Sequence, residues 1–157
     1  MRLMYTRPVL RDLSQGSRIA FVRQFRQMTQ DEVSDKLGIT GENKRRTMTQ
    51  YEKGNKNPKE ERTKIIANIL DVNFNLIKKY DFKNKTDIVY IIMWLEEIIP
   101  NYKIDLSDIP YVRDRKLLFY ENIIFEWTQM REKREKREIS YAEYIEWKFS
   151  YVVDDND

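Results

Sequence analysis

The groups available for chemistry in this sequence are guanidinium, ammonium, amide, hydroxyl and carboxylate, because its 157 residues include no Cys and no His. That absence removes disulfides, thiolate nucleophiles, the Ser-His-Asp arrangement and most transition-metal sites. Carboxylates alone can do acid/base work, but no pattern here marks a place for it. No catalytic residue, metal site or cofactor is expected, and the chain does not read as an enzyme. What remains is recognition by charge and hydrogen bonding, and the charge is unevenly spread. Residues 1–80 hold 17 Lys/Arg against 9 Asp/Glu and residues 81–157 hold 12 against 17, which together give the overall +3. A basic first half joined to an acidic second half suggests a polyanion-binding module followed by a segment that does not touch that polyanion.

The elements that must position these groups read as helices throughout. A helical pattern starts at Gly16, with Ser17 as a possible cap and Ile19, Val22 and Arg26 on one face, and runs to about Gln27. Thr29 and Glu32 form a capping box for a second helix, which Leu37-Gly38 closes. A third short helix is expected from about Lys44 to Lys53 and is ended by Gly54. Ile65, Ile66, Ile69 and Leu70 carry a fourth, and Asn73 caps a fifth that bears Phe74, Leu76, Ile77 and Tyr80. Beyond these, an apolar helix spans Asp87 to Ile99 and stops at Pro100, and a turn-rich linker covers 101–110. A long helix follows from about Val112 to Arg137, and Ser140 with Glu143 caps a last one. The fold class is all-α.

Many of these positions match one family in order: Gly16, Arg18-Ile19, Val22-Arg23, Met28-Thr29-Gln30-Asp31-Glu32-Val33, Leu37-Gly38-Ile39, Met48-Thr49-Gln50-Tyr51-Glu52-Lys53-Gly54, Asn57-Pro58, Ile66-Ala67, Leu70 and Val72. Residues 16–80 thus resemble the Cro/repressor (XRE) helix-turn-helix domains, over about two fifths of the chain. The resemblance implies a five-helix domain whose second helix crosses the DNA backbone while the third lies in the major groove. It implies a phosphate contact for Gln30 at the start of the second helix. It places Lys44, Arg45, Arg46, Thr49 and Gln50 on or near the groove-facing surface, with Met48 turned to the core. Arg suits guanine and Gln suits adenine. Lys53, Asn55 and Lys56, in the loop after the third helix, are expected on phosphates. The sequence departs from the family in one respect. Gly38 and Glu52 lie 14 positions apart, against about ten in the family, so four extra residues fall in the turn or at the start of the recognition helix. Ser34 stands where the family often has Ala, and its hydroxyl is expected to bond to the preceding turn.

The expected organisation is an arm at 1–15, the DNA-binding domain at 16–80, a helical dimerisation or effector module at 81–153 and an acidic tail at 154–157. The arm carries Arg2, Arg7 and Arg11, which suit a minor groove. Leu3, Met4, Val9 and Leu10 need burial, so packing on the domain is preferred. The run REKREKRE alternates in sign and reads as a solvated helix face. The resemblance implies a cytoplasmic regulator of bacterial or phage type, a repressor that binds double-stranded DNA as a homodimer and offers its C-terminal helices to a protein partner, with no membrane role. The alternative is a protein-binding inhibitor on the same scaffold, such as an antitoxin or an anti-CRISPR protein.

Overall fold

A computed structural model describes residues 7–98 and 118–153, and for 118–121 the backbone alone. Among these residues every regular element is a helix. They are α1 (Gln15–Phe25), α2 (Gln30–Lys36), α3 (Arg46–Lys53), α4 (Glu60–Leu70), α5 (Phe74–Ile77), α6 (Lys85–Ile98), α7 (Leu118–Glu135) and α8 (Tyr141–Ser150). The chain divides into two compact units, residues 1–100 and 101–157.

The helix ends follow from local chemistry. The Thr29–Glu32 capping box closes both orphan donors at the start of α2, and the left-handed Gly38 follows its end. Gly54, at φ 79°, ends α3. The cap expected at Ser17 is instead Ser14, whose side chain accepts from the Ser17 N–H, so α1 begins at Gln15. Asn73 caps α5 as expected, but this helix is a single turn and ends before Tyr80. The expected tract at 112–117, the linker at 101–110, the acidic tail and Arg2, Leu3 and Met4 lie outside the described residues.

In the first unit Ile19, Phe21 and Val22 of α1, Val33 of α2, Met48 of α3 and Ile66 and Leu70 of α4 share one core. Arg26, the C-cap of α1, satisfies the end of α4, donating to the Leu70 carbonyl at 2.8 Å and the Asp71 carbonyl at 2.6 Å. Helix α6 also belongs to this unit. Trp94 meets Phe21 edge to face at 5.3 Å, and its indole N–H donates to the Leu76 carbonyl at 2.9 Å. That carbonyl also accepts from buried Arg18 at 2.7 Å and from Tyr80 at 2.9 Å. Burial pushes the Tyr80 hydroxyl well above the usual phenol range. Asp87 is buried, pairs with Lys78 at 2.7 Å and accepts from the Asp81 N–H. Helix α6, which lies past the expected domain boundary at residue 81, thus packs within the first compact unit.

Among the described residues the second unit holds a pair of helices joined at Arg137, which takes the left-handed conformation at φ 58°. The Ser140–Glu143 capping box opens α8 as expected. Trp127 donates to the Tyr144 hydroxyl at 2.7 Å within a core that includes Ile123, Ile145 and Phe149. Lys148 is buried with its ammonium 4.8 Å from the Tyr144 ring centre. Most of the REKREKRE run is exposed, with Arg131 and Arg134 laid over Trp127 and Tyr141.

Candidate nucleic-acid interface

Helix α3 is short and two-sided. Met48 and Glu52 are buried, whereas Arg46, Gln50 and Lys53, at helical spacing on another face, are exposed or half-exposed. Two features fix its position. Gly16 lets α1 approach so closely that a Cβ there would lie 2.1 Å from the Tyr51 carbonyl oxygen and 2.8 Å from that of Glu52. Beside this contact, Arg23 grips the Glu52 carboxylate with two bonds of 2.8 Å, and its third nitrogen donates to the Met28 carbonyl. Both side chains are largely withdrawn from water, so the pair acts in a low-dielectric setting where a missing partner is costly.

The same carboxylate orients Gln30, the first residue of α2. Its amide N–H donates to Glu52 at 3.2 Å, and its carbonyl accepts from the Thr49 hydroxyl at 2.9 Å. Gln30 and Thr49, 19 residues apart, thus form one locked unit, and the Gln30 amide is held in a single orientation.

The extra residues of the turn lie ahead of α3, in 37–45, and the helix starts at Arg46 rather than Lys44. Lys44 is drawn back to Asp35 of α2 at 2.7 Å, a bond that raises the Lys44 ammonium above its ordinary pKa. Arg45 stands at the N-cap position without a side-chain capping bond, and both Arg45 and Arg46 are exposed. After α3, the Gln50 carbonyl accepts from the N–H groups of Asn55 (3.0 Å) and Lys56 (3.2 Å), which fixes a loop that exposes Asn55 and Lys56; Lys53, expected in that loop, is the exposed last residue of α3. Sequence reasoning gave no role to Arg23, Glu52 or Gly16. All three stand in the matched pattern, but their partners are distant in sequence. One expectation is corrected: the Ser34 hydroxyl is fully buried and makes no hydrogen bond to the preceding turn or to any other described group.

With α2 braced against a helix that exposes a cationic and amide stripe, the arrangement is that of a DNA-binding helix-turn-helix. Residues 16–81 match the family model described as a helix-turn-helix domain, of the Cro/XRE type found in DNA-binding regulators. No curated protein and no solved structure matches the chain. Among the described residues no helix is long and apolar enough to cross a membrane.

Proposed function

We propose that the protein is a sequence-specific transcriptional regulator that binds double-stranded DNA as a dimer in the cytoplasm, probing the major groove with α3. The observation that carries this reading is the exposed stripe Arg46, Gln50 and Lys53 on a helix braced by Gly16 and by the Arg23–Glu52 pair. Arg45 and Arg46 supply forked donors for guanine, and Gln50 an amide for adenine. Gln30, Lys53, Asn55 and Lys56 take phosphates, and Thr49 serves through Gln30. Lys44, paired with Asp35, holds the long turn and adds its charge toward the backbone. We assign dimerisation or effector binding to the second unit, and repression to the whole.

Selection from a random DNA pool at about 150 mM salt, where non-specific attraction is suppressed, tests this. A two-fold site is the expected product. Arg46→Ala should then cost about 1–3 kcal/mol and relax one base position, whereas Lys56→Ala should weaken all sequences alike. Equal small losses would overturn the groove assignment. No recovered site from folded protein would overturn the regulator and favour a protein-binding inhibitor.

A further inference from the structure

The chain ahead of the matched domain does more than pack. Along residues 8–11 burial alternates: Pro8 and Leu10 are buried, while Val9 and Arg11 are exposed. This is the period of an extended segment with one face on the protein. Its ends are tied down, Arg7 to Glu97 at 2.9 Å and Arg11 to the Ser17 hydroxyl (3.1 Å) and the Glu52 carbonyl (3.2 Å). Arg11 therefore reaches the end of the recognition helix from outside the 16–81 match.

Between this segment, α1 and α3 lies an open hollow of about 290 Å³, walled by Val9, Arg11, Gln24, Gln30, Thr49 and Lys53. Gln30, Thr49 and Lys53 belong to the surface already assigned to DNA. Among the described residues that line the hollow the carboxylate is Glu52, occupied by Arg23 and Gln30, while Asp12, outside the lining, pairs with Arg11 at 3.4 Å. Arg11 keeps Nη1 outside its bonds to Asp12, Ser17 and Glu52, and Lys53 and Gln24 are exposed with no side-chain bond to any described residue. The hollow thus gathers two cations and spare amide donors with no uncompensated negative charge, and Val9, 81% exposed, stands at its wall as an aliphatic surface suited to a sugar.

We propose that this hollow seats a backbone phosphodiester of the bound DNA, with Arg11, ahead of the matched domain, and Gln24 of α1 as contacts in addition to those assigned above. The proposal rests on the DNA-binding reading above. Arg11 and Lys53 supply the charge, Gln24 and Gln30 supply N–H donors, and Val9 packs on the adjoining deoxyribose. Such contacts set position and affinity without reading sequence.

The test is fluorescence anisotropy with the full chain on the selected duplex and on a scrambled one, from about 50 to 200 mM salt. Loss of one phosphate contact flattens the slope of log affinity against log salt by about 0.9, which is about a 3.5-fold smaller loss of affinity over that range. Arg11→Gln should show this on both duplexes. Gln24→Lys removes no bond within the fold and should steepen the slope by the same amount and tighten binding. Parent slopes in both variants would overturn the seat while leaving DNA binding intact. Flattening by Arg11→Gln without a response to Gln24→Lys would show Arg11 acting only through α3, and would also overturn it. If the parent binds neither duplex and Lys56→Ala changes nothing, the DNA-binding reading itself falls.

Discussion

Replacing Ser34 by Ala should make the first unit more stable. Ser34 lies in α2, fully buried, and its hydroxyl has no hydrogen-bond partner among the described residues. Folding removes that hydroxyl from water without a replacement bond, at a cost of about 1–3 kcal/mol. Ala keeps the buried Cβ and gains about 0.5 kcal/mol in helix propensity. The void left by one oxygen is smaller than a methyl group and offsets under about 1 kcal/mol. The net expectation is a gain of about 1–2 kcal/mol. For a unit near 100 residues this raises Tm by about 4–8 °C per kcal/mol.

Thermal unfolding followed by circular dichroism, with urea titration to give the midpoint at constant slope, measures this directly. Ser34→Val is the companion variant: at a fully enclosed site its extra methyl groups should destabilise by about 1–3 kcal/mol. If Ser34→Ala lowers Tm or leaves it unchanged, the hydroxyl is bonded in the folded protein and the argument from its isolation is refuted.

Other variants probe the brace and the acid response. Gly16→Ala gains about 1 kcal/mol in helix propensity, but its Cβ would meet a backbone carbonyl at 2.1 Å. Overpacking costs about 3 kcal/mol where the neighbour cannot yield, so urea titration should show a net loss of about 2 kcal/mol. Glu52→Gln leaves Arg23 buried without its counter-charge and should cost about 3 kcal/mol by the same assay; Arg23→Met with Glu52→Leu should recover part of it. The Asp12 carboxyl is held well below the ordinary range, first by the Ser14 hydroxyl and then by that of Ser17. A depressed folded pKa stabilises above the unfolded value of about 3.9, and that contribution fades as pH falls below it. Asp12→Asn should therefore lessen the loss of stability between about pH 4 and pH 2, read from urea midpoints at each pH.

The elements were legible in the sequence where their ends are set by neighbours. Thr29 with Glu32, Gly38, Gly54 and Ser140 with Glu143 each close a helix through bonds within a few residues. The candidate interface was legible as residue types but not as an assembly. Arg46, Gln50 and Lys53 share a helical period, and that period is visible in a string of letters. The bond from Thr49 to Gln30 and the pairing of Arg23 with Glu52 join helices, and the latter spans 29 residues. Nothing local marks such partners. Lys44 illustrates the same limit: beside Arg45 and Arg46 it reads as one more groove cation, yet Asp35 claims its ammonium.

The placement of α6 in the first compact unit has a different cause. Asp81, Lys83, Asn84 and Lys85 have the polarity of a linker, but the Asp81 and Asn84 carboxylate and amide oxygens turn back on the backbone. Asn84 accepts from the N–H groups of Thr86 and Asp87 to open α6, Asp81 accepts from the Lys83 N–H, and Asp87 takes the Asp81 N–H in return. These bonds turn the chain so that Trp94 reaches the Leu76 carbonyl and Phe21. The family match ends at 81, yet the core it implies is closed by a helix beyond that point, as Arg7 and Leu10 close it from before residue 16. A fragment cut at 81 would expose Phe21 and leave Lys78 without its carboxylate partner. The folding unit is therefore wider at both ends than the part that carries the motif, and the segment on the N-terminal side is the one that brings Arg11 to the recognition helix.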